Sequence, residues 1–172
     1  DLCVIECGMG GELDATNVFT PILSVITSIG LEHTMYLGKT VAEIAYSKAG
    51  IIKDEIPVVV GKLNEEAETA IVTIANDHLT KVHKIVDPAK LIKTNEGYNF
   101  SYETYTDITV NNQAYYIVDD ACIALECINI LKDNFPITIE NIREGFSAKT
   151  LDARFSIISK DNHIIIDGAH NP

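Results

Sequence analysis

The sequence predicts an α/β fold built on a doubly wound, mostly parallel sheet, and three observations support that prediction. Short apolar runs alternate with segments of helical periodicity through the first half of the chain. These runs are continuous rather than alternating, which is typical of parallel strands covered on both faces. A Thr-x-x-Glu capping box opens the first helical segment, and a glycine stands where that segment should end.

The first half of the chain gives elements in the order β-β-α-β-α-β, which favours a doubly wound layer. The predicted strands are Leu2–Glu6, Leu23–Ile29, Pro57–Val60 and Lys84–Val86. One predicted helix runs from Thr40, with Glu43 completing the capping box, to Gly50. The other runs from Glu65 to His78 and has one apolar face, formed by Ala67, Ala70, Ile71, Ile74 and Ala75.

The character of the sequence changes near Lys93. Two segments rich in aromatic and β-branched residues, Tyr98–Tyr102 and Thr106–Val110, predict antiparallel hairpins. Asn111-Asn112 is a turn signal, after which Ala114–Val118 is expected to return as a strand. Two predicted helices follow, at about Asp120–Lys132 and Ile139–Phe146. Two predicted strands come after them, at Phe155–Ile158 and His163–Ile166. A domain junction is expected between Ala148 and Arg154.

Composition narrows the classes of function. With a formal net charge of −12, the 172-residue chain is a poor candidate for binding a nucleic-acid backbone. For the same reason, a nucleotide bound here would need a divalent cation to offset repulsion. No apolar run is long enough to predict a membrane span. The four cysteines form no metal-binding pattern, which indicates reduced thiols and a cytoplasmic protein.

The first residues already fall in a predicted buried strand, and the last six, Asp167–Pro172, form a loop with no element after it. We therefore expect the sequence to be an excerpt of a longer chain.

Two polar residues follow predicted neighbouring strands. Glu6 ends the first apolar run, and His33 comes after the second. The carboxyl ends of parallel strands meet at the edge where open α/β sheets bind ligands, so both are candidate magnesium ligands. The alternatives are that Glu6 caps loop amides or pairs with a cation and that His33 is an ordinary surface or core residue.

Lys48 interrupts the apolar stripe of the first predicted helix. It lies seven residues after Val41 and four after Ile44 on the same face. Its stem could be buried with the ammonium group in water. Alternatively, it could be a desolvated amine with a lowered pKa, which carbon dioxide could carbamylate to give an anionic metal ligand.

Two loops are candidates for nucleotide contacts. The glycine loop Gly8–Gly11 matches neither the dinucleotide-binding pattern nor a P-loop, and no Gly-Lys-Ser/Thr occurs in the chain. Arg154 and the segment Asp167-Gly-Ala-His-Asn-Pro172 would suit ribose and phosphate contacts. A structural turn explains that segment equally well.

Taken together, these segments resemble the folylpolyglutamate synthase and dihydrofolate synthase family, a branch of the Mur ligase superfamily. Six ordered segments match: Glu6–Val18, Ser24–Thr34, Leu37–Thr40 with Ile44-Ala45, Lys48–Lys53, Pro57–Gly61 and Asp167–Pro172. The resemblance is dense up to residue 61, thins from 62 to 149 and returns at the end of the chain.

The resemblance implies a fold and a domain division. Residues 1–148 would be part of the P-loop-NTPase-like central, ATP-binding domain of a Mur ligase, without its P-loop. Residues 149–172 would be the first strands of the C-terminal α/β domain.

The resemblance also implies an activity. In the family, ATP phosphorylates a substrate carboxylate and the amine of L-glutamate then attacks the acyl phosphate. Glu6, His33 and a carbamylated Lys48 would hold Mg²⁺, with Lys48 and His33 as catalytic residues. The nucleotide would be contacted by Asp120, Arg154, Asp167, His170 and Asn171. Substrates would be folate or dihydropteroate, L-glutamate and ATP, with no nucleic-acid or membrane partner, a monomeric state, and an excerpt inactive on its own.

The sequence departs from the family pattern at several positions. Glu12 replaces a basic or apolar residue, Ser47 replaces a glutamate, and Asp152-Ala-Arg154 replaces Pro-Gly-Arg. Asp120 stands where the family has an adenine-contacting Asn, and a carboxylate cannot donate as an amide does. Two alternatives stay open: another Mur-type ligase acting on a cell-wall precursor, and a degenerate domain that binds a nucleotide or a partner without catalysis.

Overall fold

A computed structural model describes residues 2–148, 151–159 and 161–169. The chain divides into two compact units between Ile85 and Val86, here called the N-terminal and C-terminal units. None of the helices among the described residues is long and apolar enough to cross a membrane.

The N-terminal unit is built on a parallel sheet. Its strands β1 (Ser24–Ile26), β2 (Val58–Val60) and β3 (Val82–Lys84) lie side by side in that order. Helix α1 (Val41–Ala49) connects β1 to β2, and helix α2 (Glu65–Asp77) connects β2 to β3. The predicted α/β fold with a parallel sheet is confirmed.

The core of the N-terminal unit lies between the sheet and its helices. All three residues of β2 are at most 1% exposed, so this strand is covered on both faces, as its continuous apolar run predicts. The largest core cluster consists of Ile26, Ala49, Ile52, Val58, Val60, Ile71 and Ala75. Burying each isoleucine or valine stabilises the unit by about 1.5–3 kcal/mol.

The predicted capping box begins α1. Thr40 Oγ1 accepts from the Glu43 amide at 3.2 Å, and Glu43 Oε2 accepts from the Thr40 amide at 3.2 Å. The helix ends at Gly50, as predicted. The apolar face predicted for α2 is also confirmed, because four of its five residues are buried and Ile74 is partly buried.

The predicted strand Leu2–Glu6 is wrong. These residues have no regular secondary structure, and Val4 is 90% exposed. A continuous apolar run forms a strand only where a neighbouring strand completes its backbone hydrogen bonds. Among the described residues, β1 pairs only with β2 and gives this segment no such partner.

The C-terminal unit combines an antiparallel sheet, two helices and a hairpin. Strands β4 (Ala89–Lys93), β5 (Tyr98–Tyr102) and β6 (Tyr105–Val110) are antiparallel and lie in that order. Helices α3 (Tyr116–Leu131) and α4 (Ile139–Ser147) follow, and β7 (Ser156–Ser159) pairs with β8 (Ile164–Ile166). The predicted hairpin strands and the helix at α4 are confirmed, whereas β4 was not predicted.

The predicted strand Ala114–Val118 is wrong, because α3 begins at Tyr116, earlier than the predicted helix start at Asp120. Aromatic and β-branched residues favour a strand only weakly, and packing can override them. Here five of the six buried residues of the helix recur at helical spacing: Val118, Ala121, Cys122, Leu125 and Glu126.

The boundary between residues 148 and 149 stays a prediction. The compact C-terminal unit continues past it, and residues 151–169 fall within the same unit as α3 and α4.

Candidate functional site

The glycine loop packs against the C-terminal end of α1. The Glu12 amide donates to the Ser47 carbonyl at 2.9 Å, and Asn17 Nδ2 donates to the Glu12 and Gly50 carbonyls at 3.0 Å each. A Cβ atom on Gly50 would lie 2.4 Å from Glu12 Cβ. Gly11, in the loop itself, is packed in the same way, because a Cβ atom there would lie 2.6 Å from the Lys48 carbonyl oxygen. These two glycines therefore allow close approach between two parts of the chain.

Asp14 orders the same loop. One carboxylate oxygen accepts from Thr16 N at 2.9 Å and Thr16 Oγ1 at 2.6 Å, and the other accepts from Met9 N at 2.9 Å. These hydrogen bonds, first the one from the Thr16 hydroxyl, lower the pKa of Asp14 to about 2. The loop is thus held by an ionised carboxylate at neutral pH.

Lys48 is paired with a carboxylate. Its Nζ lies 2.5 Å from Glu32 Oε1, and the two side chains are only 19% and 16% exposed. Neither alternative for Lys48 therefore applies in full. Its side-chain nitrogen is not in open water, and it is not alone in an apolar site. Glu32 was not singled out from the sequence, although it directly precedes His33 in the Gly30–Thr34 segment, which is the signal that could have identified it.

His33 lies in an exposed turn with a left-handed backbone, at φ 46°. Its carbonyl accepts from the amides of Tyr36 at 2.8 Å and Leu37 at 3.0 Å, which fixes the turn. A non-glycine residue in this conformation is uncommon and is often found at functional sites. Glu6 is exposed in the irregular segment before the glycine loop.

The donor set limits the kind of metal site that these residues can form. Within the part of the chain that the structure describes, no three His, Cys, Asp or Glu side chains are grouped to hold a metal ion. Magnesium, however, is usually bound by one or two carboxylates together with substrate phosphates and water. Glu6 and His33 are both exposed, and a carboxylate is one of the ligand types that an ion shared with a nucleotide would use.

A second group of predicted site residues lies in the C-terminal unit. Asp167 Oδ2 accepts from the Phe155 amide at 3.0 Å and from Tyr116 Oη at 3.0 Å, and Oδ1 accepts from the Ala169 amide at 2.8 Å. Arg154 precedes Phe155 in the same loop. The structure therefore places Asp167 beside the loop that carries Arg154.

Asp120 belongs to the same neighbourhood. Removal of solvent around its carboxylate, and then the adjacent charge of Asp119, raise the pKa of Asp120, while the Arg154 guanidinium opposes this rise. The Arg154 guanidinium likewise opposes the rise in the pKa of Tyr116. Tyr116 was not predicted as a site residue. The predicted nucleotide contacts His170 and Asn171 lie outside the described residues.

No family model matches the chain, but individual proteins do. It is 36% identical to folylpolyglutamate synthase from Lacticaseibacillus casei, over all of this chain and 42% of that protein. It is 33% identical to dihydrofolate synthase/folylpolyglutamate synthase from Bacillus subtilis, over 99% of this chain and 42% of that protein. The chain thus spans about two fifths of the length of these relatives.

Solved structures give the same result. A complex of FPGS with AMPPCP and folate matches 98% of this chain and 43% of its own, with 36% identity and a TM-score of 0.92. The Mycobacterium tuberculosis folylpolyglutamate synthase complexed with ADP matches 96% of this chain and 39% of its own, with 25% identity and a TM-score of 0.83.

Proposed function

Because the chain is homologous over its whole length to folylpolyglutamate and dihydrofolate synthases, we propose that it is the corresponding part of a ligase. The whole protein would use ATP to add L-glutamate to a folate. The observation that supports this most is coverage: the sequence match spans 100% of the chain and the structural match spans 98% of it. The similarity includes both groups of candidate site residues.

The proposed reaction has two steps. The terminal phosphoryl group of ATP is transferred to a carboxylate oxygen of the folate, which gives an acyl phosphate and ADP. The amino nitrogen of L-glutamate then attacks the acyl carbon, phosphate leaves with the electrons of its C–O bond, and the nitrogen loses a proton to give the amide. The protein must mainly position the reactants and stabilise charge on the transferring group.

In this proposal Glu6, His33 and a carbamylated Lys48 hold magnesium. The bound ion would offset negative charge on the phosphates. Carbamylation would replace the Lys48 ammonium by an anion beside Glu32, which is its partner in the structure. Two adjacent, mostly buried anions repel each other, so this modification is stable only with a cation between them.

Arg154 and Asp167 are proposed to contact the nucleotide, with Asp120 near the base and with His170 and Asn171 in supporting roles. The chain's net charge of −12 makes the Arg154 cation valuable, because a polyanionic nucleotide is otherwise repelled. Asp120 can only accept hydrogen bonds when ionised, so it would accept from the amino group of adenine. A monomeric, cytoplasmic enzyme is the expectation for the whole protein.

One observation favours a second candidate, a nucleotide-binding domain without ligase activity. The sequence departs from the family pattern beside Lys48, at Ser47, and at the predicted nucleotide contact Asp120. A Mur-type ligase that uses another acceptor would form no product from folate substrates in a ligation assay.

The experiment is the substitution Lys48→Ala in the full-length protein. We expect ligation to fall by about 100-fold or more, the scale of losing a charge-stabilising group, with the circular dichroism spectrum unchanged. Lys81→Ala, which removes an exposed lysine between α2 and β3, is the matched control and should keep full activity.

A readout independent of activity accompanies this comparison. In ¹³C-bicarbonate, wild-type protein should give a carbamate carbon signal that Lys48→Ala lacks and Lys81→Ala retains. Near-normal turnover of Lys48→Ala would remove Lys48 from the mechanism.

A further inference from the structure

Tyr116 joins the start of α3 to the loop after β8. It is the first residue of the helix, and its hydroxyl donates to Asp167 Oδ2 at 3.0 Å. The residue is 38% exposed, so it lies at the surface and not in the core. The residue before it, Tyr115, caps the helix without a side-chain hydrogen bond. The hydrogen bond of the Tyr116 hydroxyl goes to Asp167 and does not cap the helix.

Asp167 in turn holds both ends of the β7–β8 hairpin. The same oxygen that accepts from Tyr116 accepts from the Phe155 amide, which precedes β7. The other oxygen accepts from the Ala169 amide, which follows β8. Within the described part of the chain this carboxylate receives three hydrogen bonds, and of these only the one from Tyr116 comes from outside the hairpin segment.

Arg154 is fixed from the same side. Asn112, which is 4% exposed, donates from Nδ2 to the Arg154 carbonyl at 2.7 Å, and the next residue, Phe155, is bonded to Asp167. Arg154 is an exposed residue, and the peptide group that joins it to Phe155 is held through both its carbonyl and its N–H. Its charge acts on Tyr116 as well as on Asp120. Moving the Asp167 carboxylate would therefore move the backbone that presents Arg154.

We propose that Tyr116 is a positioning residue of the nucleotide site, whose hydroxyl holds Asp167 and, through it, the Arg154 loop in the geometry that receives the nucleotide. This inference rests on the proposed function, because it assigns Arg154 and Asp167 to nucleotide binding. Burial and the neighbouring Asp167 raise the pKa of Tyr116, so its hydroxyl remains a donor at neutral pH.

The first test needs no ligand. Tyr116→Phe in the full-length protein removes only the hydroxyl. Hydrogen–deuterium exchange by mass spectrometry should then be faster in peptides covering 151–169 and unchanged in peptides covering β1 to β3. Tyr115→Phe, whose ring packs edge-on against Tyr98, is the matched control and should leave exchange at 151–169 as in wild type. Unchanged exchange in Tyr116→Phe would overturn the proposal.

The second test measures the Kd for Mg·ATP by calorimetry. It compares Tyr116→Phe with wild type, and then the double variant Tyr116→Phe/Asp167→Ala with Asp167→Ala. Tyr116→Phe should raise the Kd by about 5-fold, the scale of one hydrogen bond, without changing Tm by more than Tyr115→Phe does. In Asp167→Ala it should have no further effect, because Tyr116 acts through Asp167.

The remaining outcomes are distinguishable. An equal Kd in Tyr116→Phe and wild type, or the same loss in the Asp167→Ala background, would overturn the positioning role while leaving the proposed function intact. Absence of nucleotide binding by folded wild-type protein would overturn the proposed function and this inference together.

Discussion

At the scale of single residues, the N-terminal unit uses ionised carboxylates to fix loops and to neutralise a partly buried cation. Asp14 accepts three hydrogen bonds from Met9 and Thr16, and Glu32 pairs with Lys48. Both carboxylates lie in the segments that resemble the ligase family. A hydrogen-bonded carboxylate prefers its charged form, which links the order of the glycine loop to pH.

Asp14 gives a prediction for the pH dependence of stability. Its pKa is about 2 in the folded chain, below the ordinary value of 3.8, so its contribution is present above about pH 4. That contribution is lost as the pH falls from 3.8 towards 2, because in this range the unfolded state takes up a proton that the folded state still resists. Urea unfolding from pH 6 to pH 2 should show a steeper loss for wild type than for Asp14→Asn.

Asp133→Asn, at an exposed position after α3, is the matched control and should follow the wild-type curve. Parallel curves for wild type and Asp14→Asn would contradict the role given to Asp14.

Residue roles were partly predictable from sequence. The position of Lys48 on an apolar stripe left two alternatives, a buried stem with the ammonium group in water or a desolvated amine, and in the structure the side chain is mostly buried and paired with Glu32. Its partner Glu32 and the contact of Tyr116 with Asp167 were not predicted. Both depend on side chains distant in sequence, and no periodicity or local spacing specifies such pairs.

At the scale of elements, the end of α1 and the glycine loop are fitted to each other. Gly50 faces the backbone and Cβ of Glu12, and the Glu12 amide donates to the carbonyl of Ser47. Glycine at position 50 thus ends the helix and also leaves space for the loop. This second reason is not visible in the sequence, since a glycine after a helix is common by itself.

This fit predicts opposite effects for two glycine substitutions. In Gly50→Ala the new Cβ would lie 2.4 Å from Glu12 Cβ and 2.5 Å from its Cα, so we expect a loss of about 1–3 kcal/mol in unfolding free energy. Gly145 lies within α4, and a Cβ there would meet nothing within 4 Å. Gly145→Ala should therefore stabilise by about 0.5–1 kcal/mol through helix propensity.

Urea denaturation of both variants measures these changes in unfolding free energy. Equal effects from Gly50→Ala and Gly145→Ala would show that helix propensity alone explains position 50 and that the contact with Glu12 does not constrain it.

The elements that were predicted correctly are those whose pattern and neighbours agree. The β2 run is apolar and has a strand on each side, and α2 has both a cap and a regular apolar face. The run at residues 2–6 is also mainly apolar, but it has no partner strand among the described residues. The segment 114–118 has strand-like composition, yet burial at helical spacing makes it part of α3.

At the scale of the whole molecule, the candidate site residues fall in both compact units. Glu6, His33 and Lys48 lie in the N-terminal unit, and Asp120, Arg154 and Asp167 in the C-terminal unit. The α/β class and the resemblance to the ligase family were available from sequence because several short segments match in order. The side-chain pairs within each unit required the structure. The role of each predicted ligand remains a proposal.

The measurement that tests the central claim most directly is a mass-spectrometric ligation assay on the full-length protein. It would contain Mg²⁺, ATP, L-glutamate and, in separate reactions, tetrahydrofolate or dihydropteroate. The account predicts a product heavier by one or more glutamate residues that forms only with ATP, and the preferred acceptor would define the substrate. No product from either acceptor, with protein shown to be folded, would contradict the claim that this chain is part of a folate–glutamate ligase.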